Sequence, residues 1–252
     1  MNGMKNAAII DAYKGAKKRL LLLDYDGVLA PIMPLPEQAA PTGELYGLLE
    51  KLTADPRNTC VIVSGRPHET LDDWLGHLPL AFAAEHGLWR REPKGDWEFA
   101  LTVATEWKPA IRAVMERHKA LLEGSFIEEK HAGVGFHYRT ATSKDARKIV
   151  EELIRELGTL VDDFSLKLLD GKKVVEVIPS GVDKGAAAAF WLDSKDWDFI
   201  LGAGDDVTDE ALFEILPSSA YAIKVGDGMT AASIVIPSQP EFMQLLRELA
   251  SA

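Results

Sequence analysis

The sequence predicts an α/β fold, a parallel-sheet core interrupted by an inserted α+β domain, and three observations carry that expectation. Apolar runs at residues 20–23, 60–63, 80–84 and 199–201 end in polar or charged residues. Segments with helical spacing lie between them, the alternation expected of strands buried in a parallel sheet. Between residues 104 and 179 the rhythm changes to helix, two strands, helix, two strands, a self-contained α+β unit. The expected boundaries are therefore residues 1–103 and 180–252 for the core and 104–179 for the insertion.

Taken in order, Leu20-Leu21-Leu22-Leu23 makes a buried strand that stops at Asp24-Tyr25-Asp26, and Gly27 permits a sharp turn there. Leu45, Leu48, Leu49 and Leu52 mark a helix, residues 60–63 a strand, residues 70–78 a short helix containing Trp74, and residues 80–84 another strand. In the insertion, Ile111, Val114, Met115, Leu121 and Leu122 mark a helix that stops near Gly124. Strands at 125–130 and 134–139 follow, and then a helix opened by Ser143 that carries Ile149, Val150, Leu153, Ile154 and Leu157. Strands at 164–169 and 173–178 are expected to meet at an Asp170-Gly171 hairpin turn. The core resumes with an alanine-rich helix at 184–192 and a strand at 199–201. After it, Thr208 is expected to cap a helix that runs through Leu212, Phe213, Ile215 and Leu216 and ends at Pro217. The six tryptophans, Trp107 and Trp191 among them, read as packing residues.

Composition narrows the function. The chain has 252 residues, 47% of them hydrophobic, enough to bury a substantial core. Its 28 lysines and arginines stand against 39 acids, and the net charge of -11 disfavours nucleic acid or an anionic membrane as partner. Any anionic substrate must then be met by local positive charge. The single cysteine, Cys60, lies in an apolar run, so no intrachain disulfide can form and a buried inert thiol is expected. The apolar run after Lys17-Lys18-Arg19 is short and broken by Asp24, unlike a signal peptide or a membrane span, and a cytoplasmic location is expected.

Four groups of polar residues fall at strand or helix ends: Asp24 with Asp26, Ser64-Gly65-Arg66, Lys184, and Asp205-Asp206 with Asp209. Ligands of open α/β sheets bind at such ends. Carboxylates suit a hard divalent cation, with Mg2+ the natural candidate, while Ser64 and Lys184 suit a phosphoryl group. Acids alone would repel an anionic substrate, so the lysine and the metal belong in the same site.

These residues resemble the haloacid dehalogenase superfamily of phosphatases. Its four motifs match Asp24-Tyr25-Asp26-Gly27-Val28, Ser64, Lys184 and Gly204-Asp205-Asp206 with Asp209, in the right order. The 120 positions from Ser64 to Lys184 leave room for the inserted domain, which looks like the cap placed there in this superfamily. The resemblance covers nearly the whole chain and implies a Rossmann-like core. It also implies that Asp24 is the nucleophile forming an aspartyl-phosphate, and that Asp26 is the acid and base. Asp24, the backbone carbonyl of Asp26 and Asp205 would hold Mg2+, with Asp206 and Asp209 supporting the metal site.

A narrower resemblance, to the trehalose-6-phosphate phosphatase family, lies in Ser64-Gly65-Arg66-Pro67, Ala84-Glu85-His86-Gly87, Glu128-Glu129-Lys130, His137-Tyr138-Arg139 and residues 204–210. It implies that Glu128 and Lys130 read sugar hydroxyls from one face of a cap strand and that Glu176 contacts substrate. Arg66 would contact phosphate or bridge to the cap, and His86 would line the site. The implied partners are a sugar phosphate and, functionally, a trehalose-phosphate synthase. The core motifs alone leave open a phosphatase of another glycosyl phosphate, such as glucosylglycerol phosphate or mannosyl-3-phosphoglycerate. A non-catalytic sugar-phosphate sensor is a reading of a different class. The intact Asp24, Asp26, Lys184 and Asp205 argue against it.

Overall fold

The computed structural model describes the backbone of residues 2–131 and 133–252 and the side chains of residues 6–131 and 133–252. The chain forms two compact units. The first comprises residues 1–32, 39–100 and 183–252, and the second residues 33–38 and 101–182.

In the first unit, α1 (Asn2–Gly15) leads to β1 (Arg19–Leu23), followed by α2 (Gly43–Ala54), β2 (Asn58–Val63), α3 (His68–Leu75) and β3 (Ala81–Ala84). Two short strands, β4 (Trp89–Arg91) and β5 (Glu98–Phe99), extend the sheet at one edge. The second unit holds α4 (Lys108–Lys119), β6 (Phe126–Glu129), β7 (Val134–His137), α5 (Ala146–Val161), β8 (Leu166–Gly171) and β9 (Val174–Pro179). The chain then returns to the first unit with α6 (Lys184–Leu192), β10 (Phe199–Gly204), α7 (Glu210–Ile215), β11 (Tyr221–Val225), β12 (Ile234–Ile236) and α8 (Gln239–Leu249).

The first unit's sheet has the order β12-β11-β10-β1-β2-β3-β4-β5, parallel from β12 to β3 and antiparallel at β4 and β5. All four leucines of β1 are fully buried, which explains why the sequence there shows no alternation. Each contributes on the order of 2 kcal/mol of apolar burial. Successive connections from β1 run to β2 on one side, whereas β10 pairs with β1 on the other, so the strand order reverses between β1 and β10. Leu23 is level with both Ala203 and Ile62, and the ends of β10, β1 and β2 therefore lie side by side. A crevice at such a switch point is where open α/β sheets bind ligands. Cys60 is buried within β2, and burial pushes its thiol up to about 12, as expected of an inert residue.

The second unit is a four-stranded antiparallel sheet of order β6-β7-β9-β8 with α4 and α5 packed on it. Ile111, Met115, Leu153, Leu157, Phe136, Val175 and Trp107 form its own core. Trp191, by contrast, is buried in the first unit's core with Leu20, Leu22, Val61 and Phe213.

Several elements differ from the sequence reading. Asp170 and Gly171 end β8 in register with Val175 and Val174, so the turn falls on Lys172-Lys173, and Lys173 takes the positive φ (69°). A hairpin's register is set by apolar pairing as well as by turn chemistry, and here the Val177–Leu168 and Pro179–Leu166 alignment prevails over the Asp-Gly signal. Asp206, not Thr208, caps the turn of 3-10 helix that precedes α7, and its partner in a reciprocal capping box is Asp209. Lys130 lies one residue beyond β6. Strands β4, β5, β11 and β12 and helix α8 had no counterpart in the reading. The first two are only three and two residues long.

Candidate active site

The end of β1 places Asp24 at the point where the strand order of the sheet reverses. Its N–H donates to the Ala203 carbonyl at 3.0 Å, which continues the ladder by one residue. Only 4% of Asp24 is exposed. Its Oδ1 accepts from Tyr25 N–H at 2.8 Å and pairs with the Lys184 ammonium at 2.9 Å. Lys184 opens α6, where the helix dipole disfavours a cation, so a purely structural role would be better served elsewhere on the helix. What holds it is charge: its Nζ also donates to Oδ1 of Asp209 at 2.7 Å.

Asp209 is fully buried and its second oxygen accepts from the backbone N–H groups of Asp205 and Asp206, each at 2.9 Å. One carboxylate thus ties the lysine of α6 to the loop that carries Asp205. Burial alone would lower the pKa of Lys184, but Asp209 and Asp24 outweigh it and hold the amine well above its usual range. Asp24 is pushed up by burial and by the negative charges of Asp209 and Asp205, with Lys184 acting in the opposite sense. Lysine stays an ammonium here, and the rise at Asp24 comes first from its burial and then from the negative charge of Asp209 beside it.

Three buried carboxylates are brought together here. Oxygens of Asp24, Asp205 and Asp209 come within 4.8 Å of one another. Gly27, at φ 77°, lies against the Asp205 carboxylate, and a Cβ there would sit 2.1 Å from its Oδ2. Glycine is therefore required both by the backbone and by the approach of the acid. An all-oxygen donor set of this kind fits a hard divalent ion such as Mg2+. Asp209 already spends its oxygens on Lys184 and two amides, and so braces the loop that carries Asp205. Asp206 differs in orientation: its carboxylate accepts from Val207 N–H at 2.8 Å as the cap of the next turn.

Asp26 leaves this cluster. Its two oxygens accept from Nε and Nη2 of Arg66 at 2.8 and 2.7 Å, a bidentate pair, and its side chain is 39% exposed. Arg66 is itself buried, with its guanidinium 4.6 Å from the centre of the Trp74 ring and 5.3 Å from that of Tyr25. Ser64 is buried at the end of β2, where its Oγ accepts from Arg66 N–H at 3.2 Å and its carbonyl accepts from His86 N–H at 2.9 Å. The His86 ring packs against Gly65, where a Cβ would lie 2.6 Å from it. His86 holds φ at 57°, an unusual conformation for a non-glycine residue.

The second unit carries its own polar cluster. Lys130 donates to Glu176 at 2.8 Å and lies 3.9 Å from Glu128, whose carboxylate meets Nε2 of His137 at 2.8 Å. Glu176, in the centre of an apolar strand, is 6% exposed and owes its tolerance there to Lys130. Glu128 is held below the usual carboxylate range because, against the opposing effect of burial, the hydrogen bond from His137 and the charge of Lys130 prevail.

The sequence marks His137 only as part of His137-Tyr138-Arg139, with no role of its own, and does not mark Lys224. The signal for His137 is its place in β7 opposite Phe126, which puts it diagonal to Glu128 across an antiparallel pair. Lys224 is the one cation in β11; it is 4% exposed and its Nζ reaches the Asp206 carbonyl at 3.4 Å. A lysine inside an otherwise apolar strand was the available clue.

Comparison with known proteins gives these sites relatives. A family model described as trehalose-phosphatase matches residues 22–241. A bifunctional trehalose-6-phosphate synthase/phosphatase of Thermoproteus tenax is 45% identical over 234 residues, 93% of this chain and 32% of that protein. A trehalose-phosphatase of Saccharomyces cerevisiae is 37% identical, with 84% of this chain and 26% of that one covered. The chain thus spans about a third or less of the length of these relatives. The C-terminal domain of trehalose-6-phosphate phosphatase from Candida albicans superposes with a TM-score of 0.92 at 28% identity, covering 98% of this chain and 96% of that one.

Proposed function

The chain belongs to the trehalose-phosphatase family of the haloacid dehalogenase superfamily, and from that premise we propose that it is a Mg2+-dependent, cytoplasmic phosphatase that hydrolyses trehalose 6-phosphate to trehalose and phosphate. The observation that carries the reading is the buried set in which Lys184 lies 2.9 Å from Asp24 and 2.7 Å from Asp209, with Asp205 alongside.

In this mechanism Asp24 attacks phosphorus and forms an aspartyl-phosphate. Lys184 and Tyr25 N–H, both on Oδ1, fix the plane of the carboxylate and so the direction in which it attacks. Asp26 gives a proton to the departing sugar oxygen and then takes one from the water that releases phosphate. Ser64 and Lys184 bind the phosphoryl oxygens. Asp24, Asp205 and the Asp26 backbone carbonyl would hold Mg2+, which when bound neutralises the charge developing on the phosphoryl group. Asp206 and Asp209 fix the loop from behind.

Glu128, Lys130 and Glu176 form the sugar-reading group of this proposal, since paired acceptors and a cation match hydroxyls. The trehalose-phosphate synthase activity named for the Thermoproteus relative suggests a functional partner that supplies substrate. The test is phosphate release from a panel of sugar phosphates with and without Mg2+. Trehalose 6-phosphate should lead the panel, Mg2+ should be required, and Asp24→Asn should be inactive. A ranking in which trehalose 6-phosphate is no better than glucose 6-phosphate would refute the substrate assignment.

A further inference from the structure

The resemblance implies that Arg66 contacts phosphate or bridges to the cap, yet its Nε and Nη2 both donate to Asp26, at 2.8 and 2.7 Å. We propose that Arg66 is a positioning residue that acts through Asp26, holding the acid/base carboxylate in line rather than binding the phosphoryl group itself. The proposal rests on the reading of Asp26 as acid and base.

Three features support it. Asp26 sits in a turn, tied by Gly27 N–H to the Ala30 carbonyl at 2.7 Å; its side chain is 39% exposed, and what holds its carboxylate is the pair of bonds from Arg66. Arg66, in contrast, is anchored at every level. Its N–H donates to Ser64 Oγ, its carbonyl accepts from Glu85 N–H at 3.0 Å, and its guanidinium lies over the Trp74 ring. Finally, a planar fork meeting both carboxylate oxygens fixes orientation as well as distance, which an ammonium could not do.

The chemistry gives this pair a place. As the bond from Asp24 to phosphorus forms and the bond from phosphorus to the sugar oxygen breaks, the Asp26 carboxyl passes its proton to that oxygen. The carboxylate left behind pairs with Arg66. It then takes a proton from water as the water oxygen bonds to phosphorus and the bond to Asp24 breaks. Arg66 thus holds Asp26 in the state between the two steps.

A double-mutant cycle on the full chain distinguishes the two roles. Arg66→Ala should lower kcat for trehalose 6-phosphate by roughly 10- to 100-fold, the scale of a catalytic group displaced by about 1 Å. KM and inhibition by inorganic phosphate should change less than about threefold. Asp26→Ala should cost about 10²- to 10⁴-fold, and the double variant should be no worse than Asp26→Ala alone. Arg66→Lys, which keeps the charge and stem but not the fork, should recover only part of kcat and provides the readout if Arg66→Ala fails to fold. Losses that multiply in the double variant, or inorganic phosphate binding weakened about tenfold or more, would overturn the proposal and make Arg66 a phosphate ligand. Full activity in Asp26→Ala would instead overturn the acid/base reading on which it stands.

Discussion

Replacing Asp209 with asparagine tests whether this residue is a brace rather than a metal ligand. The side chain is fully buried and accepts three hydrogen bonds, from Lys184 Nζ at 2.7 Å and from the amides of Asp205 and Asp206 at 2.9 Å each. Asparagine has the same shape but only one acceptor oxygen. If that oxygen faces the two amides, the new NH2 opposes the Lys184 ammonium; if it faces Lys184, the NH2 opposes two N–H donors. Either way a charge-assisted bond in a buried setting is lost, and such a loss costs about 1.5–3 kcal/mol. Breaking a buried ion pair outright costs about 3–5 kcal/mol, but Lys184 keeps Asp24 at 2.9 Å, so the lower part of the combined range, about 2–3 kcal/mol, applies. For a chain of this size that is roughly a 4–12 °C fall in Tm. Guanidinium unfolding and thermal melts measure the loss, and amide hydrogen exchange locates it: protection should fall at Asp205 and Asp206. A change below about 0.5 kcal/mol, the usual range for a surface substitution, would refute the bracing role.

The remaining predictions concern other parts of the two units. Gly27→Ala brings a Cβ to 2.1 Å from Asp205 Oδ2 at a residue with positive φ, so stability should fall by about 1–3 kcal/mol and the rise in Tm on adding Mg2+ should vanish; a Mg2+-induced rise equal to wild type would contradict the site. Asp55 is held down to about 2 by its hydrogen bond to Arg57, with the charges of Arg57 and Arg19 adding to it. Its folded pKa lies below the unfolded one, so its contribution is complete above about pH 4 and is lost as pH falls towards 2. Asp55→Asn should therefore flatten the stability profile between those values and leave its slope above pH 5 unchanged, as measured by urea unfolding at each pH. Replacing Lys130 with methionine, or Glu128 with glutamine, should reduce turnover of trehalose 6-phosphate at least tenfold more than that of an activated aryl phosphate; equal losses on both substrates would assign these residues to folding of the second unit. A lost sugar-hydroxyl contact of about 1.5–3 kcal/mol corresponds to that factor.

The parts of the molecule legible in the sequence are those where one physical demand dominates. Leu20 to Leu23 have to be apolar because both faces of β1 are covered, and Asp24 has to follow because the crevice opens there. Lys184 stood out because an anionic substrate met by so many acids needs a cation among them. What the sequence concealed are pairings settled by tertiary geometry. Nothing in a string of residues indicates that Arg66 turns to Asp26 across 40 positions, or that Asp209 spends its oxygens on Lys184 and two backbone amides. The Asp170-Gly171 signal misled because the apolar register of β8 and β9 fixes the turn two residues later. Edge strands β4 and β5 escaped notice because strands this short carry too little pattern to read.

The most direct test is phosphoryl transfer from trehalose 6-phosphate to Asp24. Protein quenched in acid during turnover with Mg2+ and digested for mass spectrometry should carry a phosphoryl group on the peptide containing Asp24, and that mass should be absent without Mg2+ or in Asp24→Asn. Continued turnover of trehalose 6-phosphate by Asp24→Asn at the wild-type rate would contradict the account.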